Sequence, residues 1–183
     1  LRCDQEVDAE RTADEFARSW QSKLYVHHAS AALRTPPISD PTTLTPGSFM
    51  SSRKLFVNIR VPDLEKSKNF FSALGFTFNP QFTDENAACM IVSEDAYFML
   101  LTDSHFRRFT TREPSDITTV TEALYAFSCD SRAEVEELTA KALAAGATTA
   151  MPPQDHGFMY ATSFYSPDGH HFEVMWMDPA ALQ

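Results

Sequence analysis

The chain has 183 residues, 43% of them hydrophobic, with a formal net charge of −10 at pH 7 and a pI of about 4.9. That is enough apolar material for one domain of ordinary size, with some chain to spare. The acidity excludes a general nucleic-acid binder, which needs a basic face to displace counterions from phosphates, and no apolar run approaches the roughly 18 residues of a membrane span.

In chain order, residues 1–49 differ in kind from the rest. Asp8 to Tyr25 has the spacing of an amphipathic helix. Residues 34–48 then carry Pro36, Pro37, Pro41 and Pro46 among Thr and Ser, a composition that forbids regular helix or sheet and offers little to bury, so this stretch reads as a linker or disordered segment. Met50-Ser51-Ser52-Arg53-Lys54 resembles an ordinary protein start. The folded domain is therefore expected over 50–183, with the upstream part a mis-assigned start, a processed leader or a tail. No basic segment followed by an apolar one marks secretion, and seven Asp and Glu residues in 1–49 oppose a transit peptide. The three cysteines, Cys3, Cys89 and Cys129, form no even framework, so they read as reduced thiols of a cytoplasmic protein.

From Lys54 the same strand–helix–strands unit is written twice, over about 54–102 and 120–178. The first copy opens with alternating Leu55, Val57, Ile59 and Val61, continues as a helix from Asp63 to Leu74, stops at Gly75 and turns at Glu94-Asp95. The second opens with Leu124 to Cys129, runs as a helix from Arg132 to Ala145 behind a Ser131/Glu134 capping box with Val135, Leu138, Ala142 and Leu143 on one apolar stripe, stops at Gly146 and turns at Pro167-Asp168-Gly169. The expected fold is α+β, with two paired βαβββ modules forming an open cup-shaped mixed sheet and helices on the outside. The two halves are expected to enclose a cavity between them.

Val57-Asn58-Ile59-Arg60-Val61-Pro62-Asp63, with Phe70-Phe71 and Leu74-Gly75-Phe76 beyond it, resembles the opening of the vicinal oxygen chelate superfamily. Ser166-Pro167-Asp168-Gly169-His170-His171-Phe172-Glu173-Val174 resembles its closing strand. The superfamily holds glyoxalases, extradiol dioxygenases and bleomycin- and fosfomycin-resistance proteins, and the wording here is most similar to predicted lactoylglutathione lyases. The resemblance implies a divalent metal held from four slots on the first and last strands of each half. Here those slots fall on Phe56, Met99, Leu124 and Glu173, so only one oxygen ligand is retained. No metal-ligand set is expected, and the cofactor stays unknown.

Glu173 is the candidate catalytic acid–base group, since alternation puts Phe172, Val174 and Trp176 against the helix and turns Glu173 into the cup with His171 and Met175. Asn58, Tyr160 and His171 are candidates for orienting a ligand, and Phe56 and Met99 for an apolar lining, together with Met90 and Met175. Arg60 reads as a rim charge, and Arg107 and Arg108 as solvated loop charges. Two functions follow. One is a glyoxalase-like lyase or isomerase moving a proton on a small molecule. The other is a non-catalytic sequestration protein of the bleomycin-resistance type. Exposed strand edges leave room for a homodimer.

Overall fold

Residues 53–182 are described in the computed structural model of the chain; the expected helix at 8–25, the proline-rich stretch and Cys3 lie outside them. Each half of the duplication folds as written. In the first module β1 (Leu55–Val61) leads into α1 (Leu64–Ala73), then β2 (Thr77–Asn79), β3 (Ala87–Ile91) and β4 (Ala96–Thr102). In the second, β5 (Leu124–Ser128) leads into α3 (Arg132–Ala144), then β6 (Thr148–Asp155), β7 (Met159–Tyr165) and β8 (His171–Met177). Between the modules, residues 103–109 form the short helix α2 (Asp103–Phe106) and a 3-10 turn over Arg107–Phe109, where the sequence pattern suggested only a loop.

Local chemistry sets the helix ends. The Asp63 side chain accepts from the Lys66 amide, and Ser131 accepts from the Glu134 amide, each satisfying a donor that the first turn leaves unpaired. The return arm of the expected capping box shifts by one residue, because the Glu134 carboxylate accepts from the Asp130 amide at 2.7 Å. Both helices end at glycines with φ near +100°, Gly75 and Gly146, a backbone state costly for any residue with a Cβ. The second helix buries Val135 and Ala142, while Leu143, expected on the same stripe, is exposed.

The strands form two four-stranded mixed sheets, ordered β1-β4-β3-β2 and β5-β8-β7-β6, in which only β1–β4 and β5–β8 pair in parallel. The result is the expected α+β architecture of two βαβββ modules with open, unclosed sheets. Their mutual arrangement changes one expectation: what fills the space between the halves is an aromatic core, with an open groove at its margin between α1 and Ala145 and Pro167. Phe172 on β8 stacks with Phe127 and Phe164 at 5.5 and 5.9 Å, and meets Phe71 of α1 at 5.4 Å and Phe98 of β4 at 5.9 Å. The helix-bearing inner faces of the two sheets thus bury each other, which neither amphipathic half could do alone. Each sheet is left with an outer face directed away from this core.

The turn between β7 and β8 ties the modules together. The Asp168 carboxylate lies 2.7 Å from the Ser67 hydroxyl of α1. His170, 2% exposed, has Nδ1 at 2.5 Å from the Glu122 carboxylate and Nε2 at 2.8 Å from the Arg60 carbonyl on β1. Both partners are oxygen acceptors, so the ring bridges the Glu122 side chain and the β1 backbone. Gly169, at φ +106°, sits where a Cβ would lie 2.7 Å from the Ile117 carbonyl. Much of the Ser166–Gly169–His170 stretch is therefore structural.

Candidate functional site

Strand register shows that the two modules are equivalent position by position. Phe56 pairs with Tyr97, and Asn58 with Met99. Leu124 pairs with His171, and Ala126 with Glu173. Phe56 and Met99 therefore lie on the same diagonal of the first sheet as Leu124 and Glu173 on the second, and the helix caps Asp63 and Ser131 match as well. The four slots are thus related by the internal duplication and lie on the outer faces.

The two outer faces differ. On the first sheet Met99, Leu101 and Cys89 are almost fully buried, with α2 packed on β1 and β4 and the Pro80–Phe82 turn packed on β3. Phe56 stacks on Tyr97 at 4.9 Å, and Asn58 is exposed. Arg60, expected on the rim, is half-buried: it pairs with Asp103 at 2.8 Å and donates to the Ser115 carbonyl at 2.9 Å. Arg107 pairs with Asp103 and Glu113 at 2.8 and 2.7 Å. These contacts with Arg107, then Arg60, hold the Asp103 carboxyl below its ordinary range.

On the second sheet the outer face is open. Leu124, Ala126 and Ser128 are exposed, and Glu173 and Met175 are half-buried. Glu173 faces Ser163 across the β7–β8 pair and makes no ion pair among the described residues. His171 is buried, its ring 5.0 Å from that of Tyr165, and its Nε2 has no hydrogen-bond partner. Phe172 and Val174 occupy the core and Trp176 packs against it, as the alternation predicts.

Five candidates are redistributed. Tyr160 lies on the inner face of β7, packed against the core with the Arg132 guanidinium 4.4 Å from its ring centre, and does not join Glu173. Met90 is likewise an inner-face core residue. Asn58, Phe56 and Met99 share the first sheet's outer face, so within one chain they stand apart from Glu173 and His171. Sequence reasoning passed over Met151, Met159 and Met177, which register places on the face of Glu173 and Met175. The signal was present in the Met175-x-Met177 spacing, but β6 and β7 had to be aligned before it could be read.

The donor set at the four equivalent positions is a phenyl ring, a thioether, an isobutyl group and one carboxylate, which does not fit a divalent ion that takes three or four N, O or S ligands. No group of three His, Cys, Asp or Glu residues gathers among the described residues. Burial pushes the Cys89 thiol up to about 11, and burial with Glu134 and Asp130 does the same for Cys129, so both stay protonated and poorly nucleophilic at neutral pH. No described helix is long and apolar enough to cross a membrane.

Residues 53–93, most of the first module, match the family model described as bleomycin resistance protein-like N-terminal. No curated protein matches the chain. Among solved structures, a hypothetical protein from S. aureus is 27% identical, with 71% of this chain and 95% of that one aligned at a TM-score of 0.58. A glyoxalase/bleomycin resistance protein/dioxygenase family enzyme from Burkholderia phytofirmans PsJN is 19% identical, covering 67% and 96% at 0.58. The fosfomycin resistance protein FosX from Mesorhizobium loti is 16% identical, covering 73% and 98% at 0.52. The described domain thus has the vicinal oxygen chelate fold shared by glyoxalases, bleomycin- and fosfomycin-resistance proteins and dioxygenases. That fold hosts unrelated activities, so its chemistry has to be argued from the residues.

Proposed function

We propose that this protein holds a small organic molecule non-covalently on the outer face of its second sheet, in the manner of a sequestration protein of the bleomycin-resistance type. The observation that carries this reading is the substitution pattern at the four duplicated slots: Phe56, Met99 and Leu124 are carbon-rich, and Glu173 alone is polar. Only a pairing of the first sheet of one copy with the second sheet of another brings these four side chains together. Such a set suits apolar contact with one anchoring group, as in ligand pockets generally. The two outer faces point apart in one chain, so a homodimer that sets the first sheet of one copy opposite the second sheet of the other would complete the cup. Free, unpaired Cys89 and Cys129 accord with a reducing, cytoplasmic setting.

The test is titration of the purified protein with a neutral solvatochromic dye such as Nile red, with light scattering on the same sample. Saturable binding by a dimer is expected, weakened by Met175→Ser. A titration that stays flat for this dye and for cationic and anionic dyes alike rules sequestration out. Trp176 is a poor reporter, because it packs against the core on the opposite side of β8.

A glyoxalase-like lyase is the second reading. It draws on the half-buried Glu173 carboxylate, which lacks an ion-pair partner among the described residues and could move a proton. Turnover of the methylglyoxal–glutathione adduct by wild type, lost in Glu173→Gln, would favour it; equal rates in both remove Glu173 as the base.

A further inference from the structure

The outer face of the second sheet has a composition that selects among ligands. Four of the seven methionines of the chain, Met151, Met159, Met175 and Met177, lie on it. Unbranched, polarizable thioethers adapt to flat apolar bodies better than branched side chains do. Among these strands Glu173 is the one carboxylate on that face, and register places no Lys or Arg beside it. His171, one pleat away on the same face, is 8% exposed, and its unpartnered Nε2 is itself covered, so a ligand on this face reaches it only as the ring swings outward. A buried ring nitrogen without a partner is costly and is commonly satisfied by a ligand or an ordered water.

We infer that the ligand class is an organic cation bearing N–H groups on a flat apolar body, a protonated amine, amidine or guanidine. Glu173 serves as its counter-ion, His171 Nε2 accepts an N–H, and the four methionines hold the apolar part. The three features are mutually consistent only for this class. A neutral apolar ligand leaves Glu173 unpaired in a half-buried setting. An anion is repelled by it, and a quaternary cation offers nothing to His171. This inference rests on the binding function proposed above and specifies its ligand.

The experiment is calorimetric titration of the full chain with four probes that share one ring system: 1-naphthylmethylamine, its N,N,N-trimethyl derivative, 1-naphthylmethanol and 1-naphthylacetic acid. The amine is expected to bind on the order of tenfold or more tighter than the alcohol. The trimethyl derivative should fall between them, and the acid should bind weakest. Added salt should weaken the two cations alone. Glu173→Gln should bring the amine down to the alcohol and leave the alcohol unchanged. Met175→Ser should weaken all four and keep their order, which separates lost packing from lost charge. If the alcohol or acid equals the amine, or the preference survives in Glu173→Gln, the cation assignment is overturned while sequestration stands. If the trimethyl derivative equals the amine, the role of His171 is overturned. If no probe shows saturable binding, the binding function falls with it.

Discussion

The two modules share strand order, register, helix caps and glycine stops, yet their outer faces have diverged. The first sheet buries Met99, Leu101 and Cys89, with α2 and the Pro80–Phe82 turn packed against its strands. The second leaves Glu173 and a methionine-lined surface open, with exposed Leu124 at its edge. The inner faces did not diverge in this way, because each is the other's partner in the aromatic core. Inner-face residues are constrained by close packing, where a change of even one methylene is felt. Outer-face residues are constrained only by what they bind or what covers them, and there the duplicated halves could specialise.

Three comparisons test that division, beginning with the largest effect. Phe172→Ala removes the ring on which Phe71, Phe98, Tyr125, Phe127 and Phe164 converge. It is expected to cost about 3–5 kcal/mol in urea denaturation, against less than about 0.5 kcal/mol for exposed Leu124→Ala. Similar losses at the two sites would mean that the modules are not joined through their inner faces.

A smaller contrast separates two glycines of similar backbone conformation. Gly75→Ala introduces a Cβ into open space at φ +101° and should cost about 1–2 kcal/mol. Gly169→Ala adds a 2.7 Å clash with the Ile117 carbonyl and should cost about 3 kcal/mol. Equal costs in thermal unfolding would show that the linker yields to the turn and that the clasp between modules is soft.

The smallest effect concerns pH. Burial raises the Asp168 carboxyl above its ordinary value of 3.8, opposed by the Ser67 hydroxyl and His170. The native state therefore binds this proton more tightly than the unfolded chain. The stability it contributes is fully present below the ordinary value and is lost as pH rises through the raised folded value. The geometry agrees, since the Ser67 hydroxyl sits 2.8 Å from the Asp63 carbonyl and 2.7 Å from Asp168. It has one proton for two acceptors, and a protonated Asp168 can donate in its turn. Asp168→Asn should remove this component, so the difference in stability between mutant and wild type should vary as pH rises above the ordinary value of 3.8 and level off once the raised folded value is passed. A difference that is flat across that window would show that Asp168 is solvated and that the turn does not clasp α1.

Much of the fold was legible in the residues alone. Alternation in Leu55–Val61, the caps at Asp63 and Ser131 and the stops at Gly75 and Gly146 are local signals, fixed by backbone sterics and hydrogen bonding within a few residues, and they placed the helices and the strands of both modules. The same alternation separated Glu173 from Phe172 and Val174 correctly. It failed for Tyr160, because the period of Met159–Tyr165 groups Tyr160 with Thr162 and Phe164 but does not say which face meets the core; the β7–β8 register decides that, setting Tyr160 beside Trp176. Leu143 failed for a related reason, since a helical stripe does not say how much of it the neighbouring sheet will cover.

What the chain determined by itself is therefore the content of each module and the chemical character of its four duplicated slots, three of them carbon and one carboxylate. Only tertiary packing decided that the inner faces meet through Phe172, that the outer faces turn apart, and that four methionines share an outer face with Glu173. Those outcomes depend on contacts between residues far apart in sequence, such as Phe71 with Phe172 or Arg60 with His170. Their energy comes from burying surfaces that exist only once both halves have formed.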